Sequence, residues 1–162
     1  MPDMIVNLYD LASVTPEVET LRTTGVTCRR AESCERSAVL AFVRQHFPAW
    51  ADETLVGFAA VPPTVYIATE AGAVLGFACY NVTRPDYFGP TGVDERQRGR
   101  GIGRDLLLQC LEALKAEGYA YAIIGGVGPA GFYEKAAGAT LIPGSEPGIY
   151  RDWLDRGEGD GA

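Results

Sequence analysis

Apolar residues recur most regularly between positions 102 and 114, where Ile102, Leu106, Leu107, Cys110, Leu111 and Leu114 fall at helical spacing. This predicts an amphipathic helix with one face in a core. Gly118 stands where a left-handed residue would end it. Upstream, residues 64–69 and 73–83 alternate in strand fashion around Glu70-Ala71-Gly72 and predict a hairpin. Residues 87–93 read as a further strand, yet contain Gly89, Pro90 and Gly92. Proline donates nothing to a ladder, so this strand is expected to be imperfectly paired. Residues 26–31 read as the first core strand. Ser33 is then expected to cap a helix with Val39, Leu40, Val43 and Phe47 on one face, stopped by Pro48. A short helix over 50–58 ends before Pro62-Pro63. Downstream come a buried strand over 119–124, a Gly-rich turn and a short helix over 130–137. Strands over 139–142 and 149–154 are expected to pair through the turn at 144–148. Residues 1–25 read as an N-terminal extension, a strand-like lead over 4–11 followed by a short helix closed by Thr24-Gly25. The main domain spans 26–154, and 155–162 form a Gly- and charge-rich flexible tail.

Composition narrows this plan. At 162 residues, 47% hydrophobic and 22% charged, the chain suits one folded domain. It has no run of about eighteen apolar residues that would span a membrane, and its start lacks the basic and apolar regions of a secretory signal. A cytoplasmic location is expected. The net charge of −7 disfavours nucleic acid and anionic lipid as partners. Arg96, Arg98, Arg100 and Arg104 are a local exception, suited to a small anion. The four cysteines Cys28, Cys34, Cys79 and Cys110 form no C-x-x-C pair and read as buried thiols, with no metal site. A homodimer is among the open assembly states.

The chemistry concentrates at the start of the 102–114 helix. Gly99, Gly101 and Gly103 lie at its first turn, where backbone N–H groups have no intrahelical partner. Glycines allow close approach of a ligand to that backbone. Unpaired amides, the positive end of the helix dipole and nearby arginines together describe an anion site, with phosphate the best fit. Neither the dinucleotide pattern G-x-G-x-x-G nor the P-loop pattern is present. The pattern here is R-x-x-G-x-G, from Arg98 to Gly103, followed at a distance by Phe132-Tyr133-Glu134-Lys135 and Gly138-Ala139. Together these resemble the acetyl-CoA pyrophosphate loop and the "FYEK..G" segment of the GNAT superfamily of N-acetyltransferases. The resemblance covers about residues 26–154 and is firm from Val93 to Ala139.

The resemblance implies an α+β fold with a mostly antiparallel, twisted sheet of six to seven strands and helices on both faces. It also implies that the family's fourth and fifth strands splay, so that the pantetheine arm of acetyl-CoA bonds to backbone in the gap. The amides of Arg98, Gly99, Gly101, Ile102 and Gly103 would then face the pyrophosphate, with Arg98 and Arg104 adding charge. A backbone N–H beside Val93 would stabilise the oxyanion. Tyr133 matches the family's general acid; a phenol with a pKa near 10 stays protonated at neutral pH and can protonate a departing thiolate. Many relatives carry an asparagine seven residues before this tyrosine, where this chain has Gly126.

No base stands out. Glu53 is the first candidate, followed by Asp52, Asp86 and Glu32, and a water relay is equally allowed. The single histidine, His46, reads as structural. The expected activity is acetyl transfer from acetyl-CoA to a primary amine of a small molecule or peptide, by direct transfer in a ternary complex. A non-catalytic acyl-CoA-binding regulatory module is the alternative. A nucleotide-phosphate enzyme is a third reading, weakened by the missing P-loop lysine.

Overall fold

The computed structural model describes residues 1–154 except 12 and 14. The expected tail over 155–162 therefore lies outside the described residues. Seven strands and five helices follow in the order β1 (Met4–Asn7), α1 (Thr15–Thr23), β2 (Thr27–Arg30), α2 (Arg36–His46), α3 (Ala51–Gly57), β3 (Val65–Glu70), β4 (Ala73–Tyr80), β5 (Tyr87–Val93), α4 (Ile102–Ala116), β6 (Tyr121–Ile124), α5 (Ala130–Ala137) and β7 (Thr140–Leu141). They form one sheet in the order β2-β3-β4-β5-β6-β1-β7. Every neighbouring pair is antiparallel except β5 and β6.

Period-two alternation along the strands divides the apolar residues between two faces. Ala68, Ala78, Tyr80, Phe88, Ala122, Ile124, Met4 and Val6 pack with the buried stripe of α4 and with Leu21 of α1 and Tyr133 of α5. Val65, Ile67, Phe77 and Cys79 pack on the opposite face against Val39, Phe42 and Val43 of α2 and against Phe58. Thus α1, α4 and α5 cover one face, and α2 and α3 the other.

The expected splay is present between β5 and β6, the fourth and fifth strands of the family plan once β1 is set aside. They pair only at Tyr87↔Ile123 and Phe88↔Ile124. Beyond that point β5 continues beside β4, with Thr91, Gly92 and Val93 opposite Ala78, Phe77 and Gly76. The register shift between Ala78 and Tyr80 falls opposite Gly89-Pro90, where the missing proline N–H weakens the ladder.

Four local expectations are corrected. Glu32, rather than Ser33, opens the helical segment, in a capping box with Glu35 across a 3-10 turn. The carboxylate–amide exchange satisfies two orphan donors at once. Phe47 lies just past α2 as its C-cap. Cys34 is exposed in that turn, while the other three cysteines are buried. The terminal strand over 149–154 does not form; Gly148–Tyr150 is a 3-10 turn. Its place in the sheet is taken by β1, which pairs with β6 along all four residues and with β7 at Met4↔Leu141 and Ile5↔Thr140. With that edge of β6 already filled, the chain after β7 turns away through Gly144 and Gly148, both at positive φ.

Candidate functional site

The turn between β5 and α4 is built from its acidic start. Asp94 Oδ1 accepts the amide of Arg96 at 3.0 Å, and its other oxygen pairs with the Arg96 guanidinium at 2.9 Å. The guanidinium holds the Asp94 carboxyl below the usual carboxylate range. The chain then passes through Gly99 at φ +80 and Gly101 at φ +85, a left-handed region in which a side chain is strained. A Cβ at either position would meet nothing within 4 Å. The Asp105 amide closes onto the Gly101 carbonyl at 3.1 Å. The amides of Gly99, Gly101, Ile102 and Gly103 have no acceptor among the described residues. Ile102 is 1% exposed, so its side chain anchors the turn from below and leaves only its amide for a ligand.

The arginines differ in their surroundings. Arg100 is held by Glu70 at 2.8 Å and by Gln97, and Arg96 by Asp94. Arg98 is exposed and only loosely paired with Glu95 at 3.8 Å. Arg104 lies exposed on the first turn of α4. The two arginines expected to add charge are both exposed, as is Arg96.

The gap leads from this turn to Tyr133. The Asp94 amide points to β4, donating to the Leu75 carbonyl. Alternation along a strand therefore turns the Val93 amide toward the gap. Tyr133 is 8% exposed in α5, edge-on to Phe88 at 6.2 Å and to Phe132 at 5.0 Å between ring centroids. Its hydroxyl has no hydrogen-bond partner among the described residues. Burial pushes the phenol up to about 12. The start of α5 reaches back to the glycine turn, for a Cβ on Gly103 would lie 3.8 Å from Phe132 Cζ and 3.7 Å from Val93 Cγ2. Val93, the turn amides and Tyr133 are therefore brought together.

Glu53 is placed elsewhere. It lies in the first turn of α3, on the opposite face of the sheet, where its Oε1 accepts the Thr83 hydroxyl at 2.7 Å. Asp52 and Glu32 are exposed. Asp86 is half-buried, and burial raises its carboxyl above the usual range. No hydrogen bond or ion pair links a carboxylate to Tyr133 among the described residues. On this same face Phe47 covers β5: a Cβ on Gly92 would lie 2.6 Å from its ring. Phe47 also stacks on Trp50 at 5.4 Å. A cavity of about 490 Å³ opens beside it, lined by Gln45, His46, Phe47, Asp94, Glu95, Arg96 and Arg98.

Sequence reading missed a second group, at the closed end of the gap. Asp3 is 7% exposed, and its Oδ1 accepts the Gly126 amide at 2.9 Å. Its backbone N–H donates to Ser145 Oγ at 2.8 Å, and its carbonyl accepts the Ile142 amide. The ring of Tyr150 occupies the space beside Gly126, where a Cβ would lie only 2.4 Å from Cε2. The paired glycines at 125 and 126 hinted at close approach. Nothing in the sequence pointed to partners 123 residues away.

A family model described as the acetyltransferase (GNAT) family matches residues 7–139. Among solved structures, a GCN5-related glucosamine N-acetyltransferase region of a fungal multi-domain β-N-acetylglucosaminidase is similar, with a TM-score of 0.71 at 18% identity, over 87% of this chain and 19% of that one. A GCN5-related N-acetyltransferase from Sphaerobacter thermophilus gives 0.67 at 20% identity, over 87% of this chain and 48% of that one. A GNAT family acetyltransferase from Brucella melitensis, in complex with acetyl-CoA, gives 0.55 at 18% identity, over 72% and 86%. This chain thus spans less than half the length of the first two, and the likeness to all three is one of fold. No curated protein matches the chain.

Proposed function

The chain belongs to the GNAT acetyltransferase family, and from that premise we propose that it moves an acetyl group from acetyl-CoA to a primary amine of a small molecule or peptide. The observation that carries this reading is the continuity between the unpaired amides of Gly99, Gly101, Ile102 and Gly103 and the buried, unpartnered hydroxyl of Tyr133. The amides, with Arg98 and Arg104, hold the pyrophosphate of the donor. The donor supplies an acetyl thioester. The Val93 amide, turned toward the gap, bonds to the carbonyl oxygen as charge develops there.

The neutral amine attacks the thioester carbon directly, the C–S bond breaks, and Tyr133 gives its proton to the departing thiolate. The proton lost by the amine restores the phenol through solvent. Glu53, on the α2–α3 face, takes up the proton by which the incoming ammonium becomes a neutral amine. The high pKa of Tyr133 suits the donor role, since the phenol stays protonated across the working range.

The test is Tyr133→Phe. General acid roles contribute about 10²–10⁴-fold, so kcat should fall by that order while acetyl-CoA affinity stays nearly intact. Turnover equal to wild type would remove Tyr133 as the acid. One observation favours the second reading, a non-catalytic acyl-CoA-binding module: no carboxylate is linked to Tyr133 among the described residues. Free thiol release, measured with acetyl-CoA against polyamines, aminoglycosides, amino acids and peptide N-termini, decides between them. Binding of acetyl-CoA without release in any case would favour the module.

A further inference from the structure

The turn before α4 must hold a shape that its own sequence does not impose. Gly99 and Gly101 flank Arg100 at φ +80 and +85, and a Cβ on either would meet nothing within 4 Å. Glycine loses the most conformational freedom on ordering, so packing at these two positions does not fix the turn. Buried Ile102 fixes its far end, and the Asp94 amide fixes its start through the Leu75 carbonyl. Arg100 is the side chain that ties down the stretch between them.

Both ties run to the β3–β4 hairpin. Its strands are joined by Ala71 and Gly72 at φ +49 and +79, with Glu70 opposite Ala73 as the last rung. Two positive φ values in a two-residue loop match the twist of the strands, which makes the hairpin end a firm support. Leu75 falls at the register shift in β4, between Val74 and Gly76, the partners of Thr69 and Ala68. Alternation along β3 puts Glu70 on the α4 face with Tyr66 and Ala68. There its Oε1 accepts from Arg100 Nη2 at 2.8 Å and its Oε2 from Nη1 at 3.4 Å. Gln97 Oε1 also accepts from Arg100 Nη1, so the guanidinium spans the turn as well as the hairpin. Glu70 has no other hydrogen-bond donor among the described residues. Exposed ion pairs contribute little as a rule. This one is two-pronged, and its side chains are only 31% and 35% exposed, the geometry in which arginine–carboxylate pairs gain strength and direction.

We propose that Glu70 is a positioning residue for the donor. By holding Arg100 it keeps the turn from 99 to 103 in the conformation that leaves the amides of Gly99, Gly101, Ile102 and Gly103 open to the pyrophosphate. The inference rests on the reading of this turn as the acetyl-CoA site. Arg100 thereby serves the donor through its hold on the backbone, while its charge is spent on Glu70 rather than on phosphate.

The experiment is calorimetric titration of acetyl-CoA into wild type, Glu70→Ala, Glu70→Gln, Arg100→Ala and the double variant Glu70→Ala/Arg100→Ala, with steady-state kinetics alongside. Glu70→Ala and Arg100→Ala should each weaken acetyl-CoA binding by about ten-fold, the scale of ordering one freed residue on binding. Glu70→Gln should weaken it less, since its amide oxygen still accepts from Arg100. The double variant should be no weaker than either single one, because each change breaks the same tie. The KM for acetyl-CoA should rise in step, with kcat at saturating donor within about two-fold of wild type. Unchanged binding in Glu70→Ala overturns the inference. Tighter binding there also overturns it, because Arg100 would then be a phosphate ligand that Glu70 masks. Multiplying losses in the double variant, about a hundred-fold together, would mean that the two residues act separately. A fall in kcat would assign Glu70 to the reaction or the fold instead. Affinity is read without an acceptor, so a wild type that binds acetyl-CoA and acetylates no amine overturns the acetylation reading alone. A wild type that does not bind acetyl-CoA overturns both.

Discussion

Tyr133 and Tyr80 each hold a phenol pushed up to about 12 by burial, although Tyr80 is also bonded by Arg30. In the unfolded chain both titrate near the ordinary value of 10.0. Between those two values the native state keeps protons that the unfolded state has lost, so stability falls as pH rises. The contribution is fully present below pH 10 and lost as pH climbs toward 12. For Tyr133, 8% exposed, the expected loss is about 2–3 kcal/mol across that window. Urea midpoints taken from pH 9 to 12 should fall for wild type and fall less steeply for Tyr133→Phe. Absorbance at 295 nm should show the two buried phenols ionising last. The sequence marked Tyr133 through its Phe-Tyr-Glu-Lys setting, which reports chain neighbours. Its acidity depends on burial, to which residues distant along the chain such as Phe88 of β5 contribute, and was not legible. The setting of Glu53 was not legible for a related reason: its position along the chain does not say on which face of the sheet α3 packs.

At the scale of elements, periodicity carried most of the reading. The stripe from Ile102 to Leu114 became the buried face of α4, and strand β5 and helix α5 begin and end where alternation and turn residues placed them. The meaning of Gly92 was not legible, since a glycine in a strand marks either weak pairing or close approach. Here the ladder holds, with Gly92 opposite Phe77, and the missing side chain makes room for Phe47. Gly92→Ala should therefore destabilise the protein by about 1–3 kcal/mol, because its Cβ would force the Phe47 ring off its stack with Trp50. Phe47→Ala removes the obstacle at its own cost. The double variant should thus lose less than the two single changes together, a non-additivity readable from urea midpoints. Additive losses would mean that the ring and the glycine do not meet.

For the whole molecule, the decisive element is the one sequence reading set apart as an extension. Strand β1 lies between β6 and β7, and Met4, Val6 and Leu8 beside it are at most 1% exposed. Burying such side chains contributes about 1.5–3 kcal/mol each. Their sum approaches the full stability of a typical domain, about 5–15 kcal/mol. Removal of residues 1–8 should therefore leave a chain without a cooperative thermal transition, followed by circular dichroism. A retained transition near the wild-type temperature would mean that another segment takes over the vacant edge. Its role escaped sequence reading because strand order is settled by partners distant along the chain. That distance also governs how the protein is made. Asp3 leaves the ribosome well before its partners, for Gly126 and Ser145 follow it by 123 and 142 positions. Strands β3 to β5 can assemble from neighbouring hairpins, while β1 waits with its edges open until β6 and β7 have emerged. The closed end of the gap is thus completed last, and the apolar Met4-Ile5-Val6 edge stays exposed to misassociation throughout synthesis.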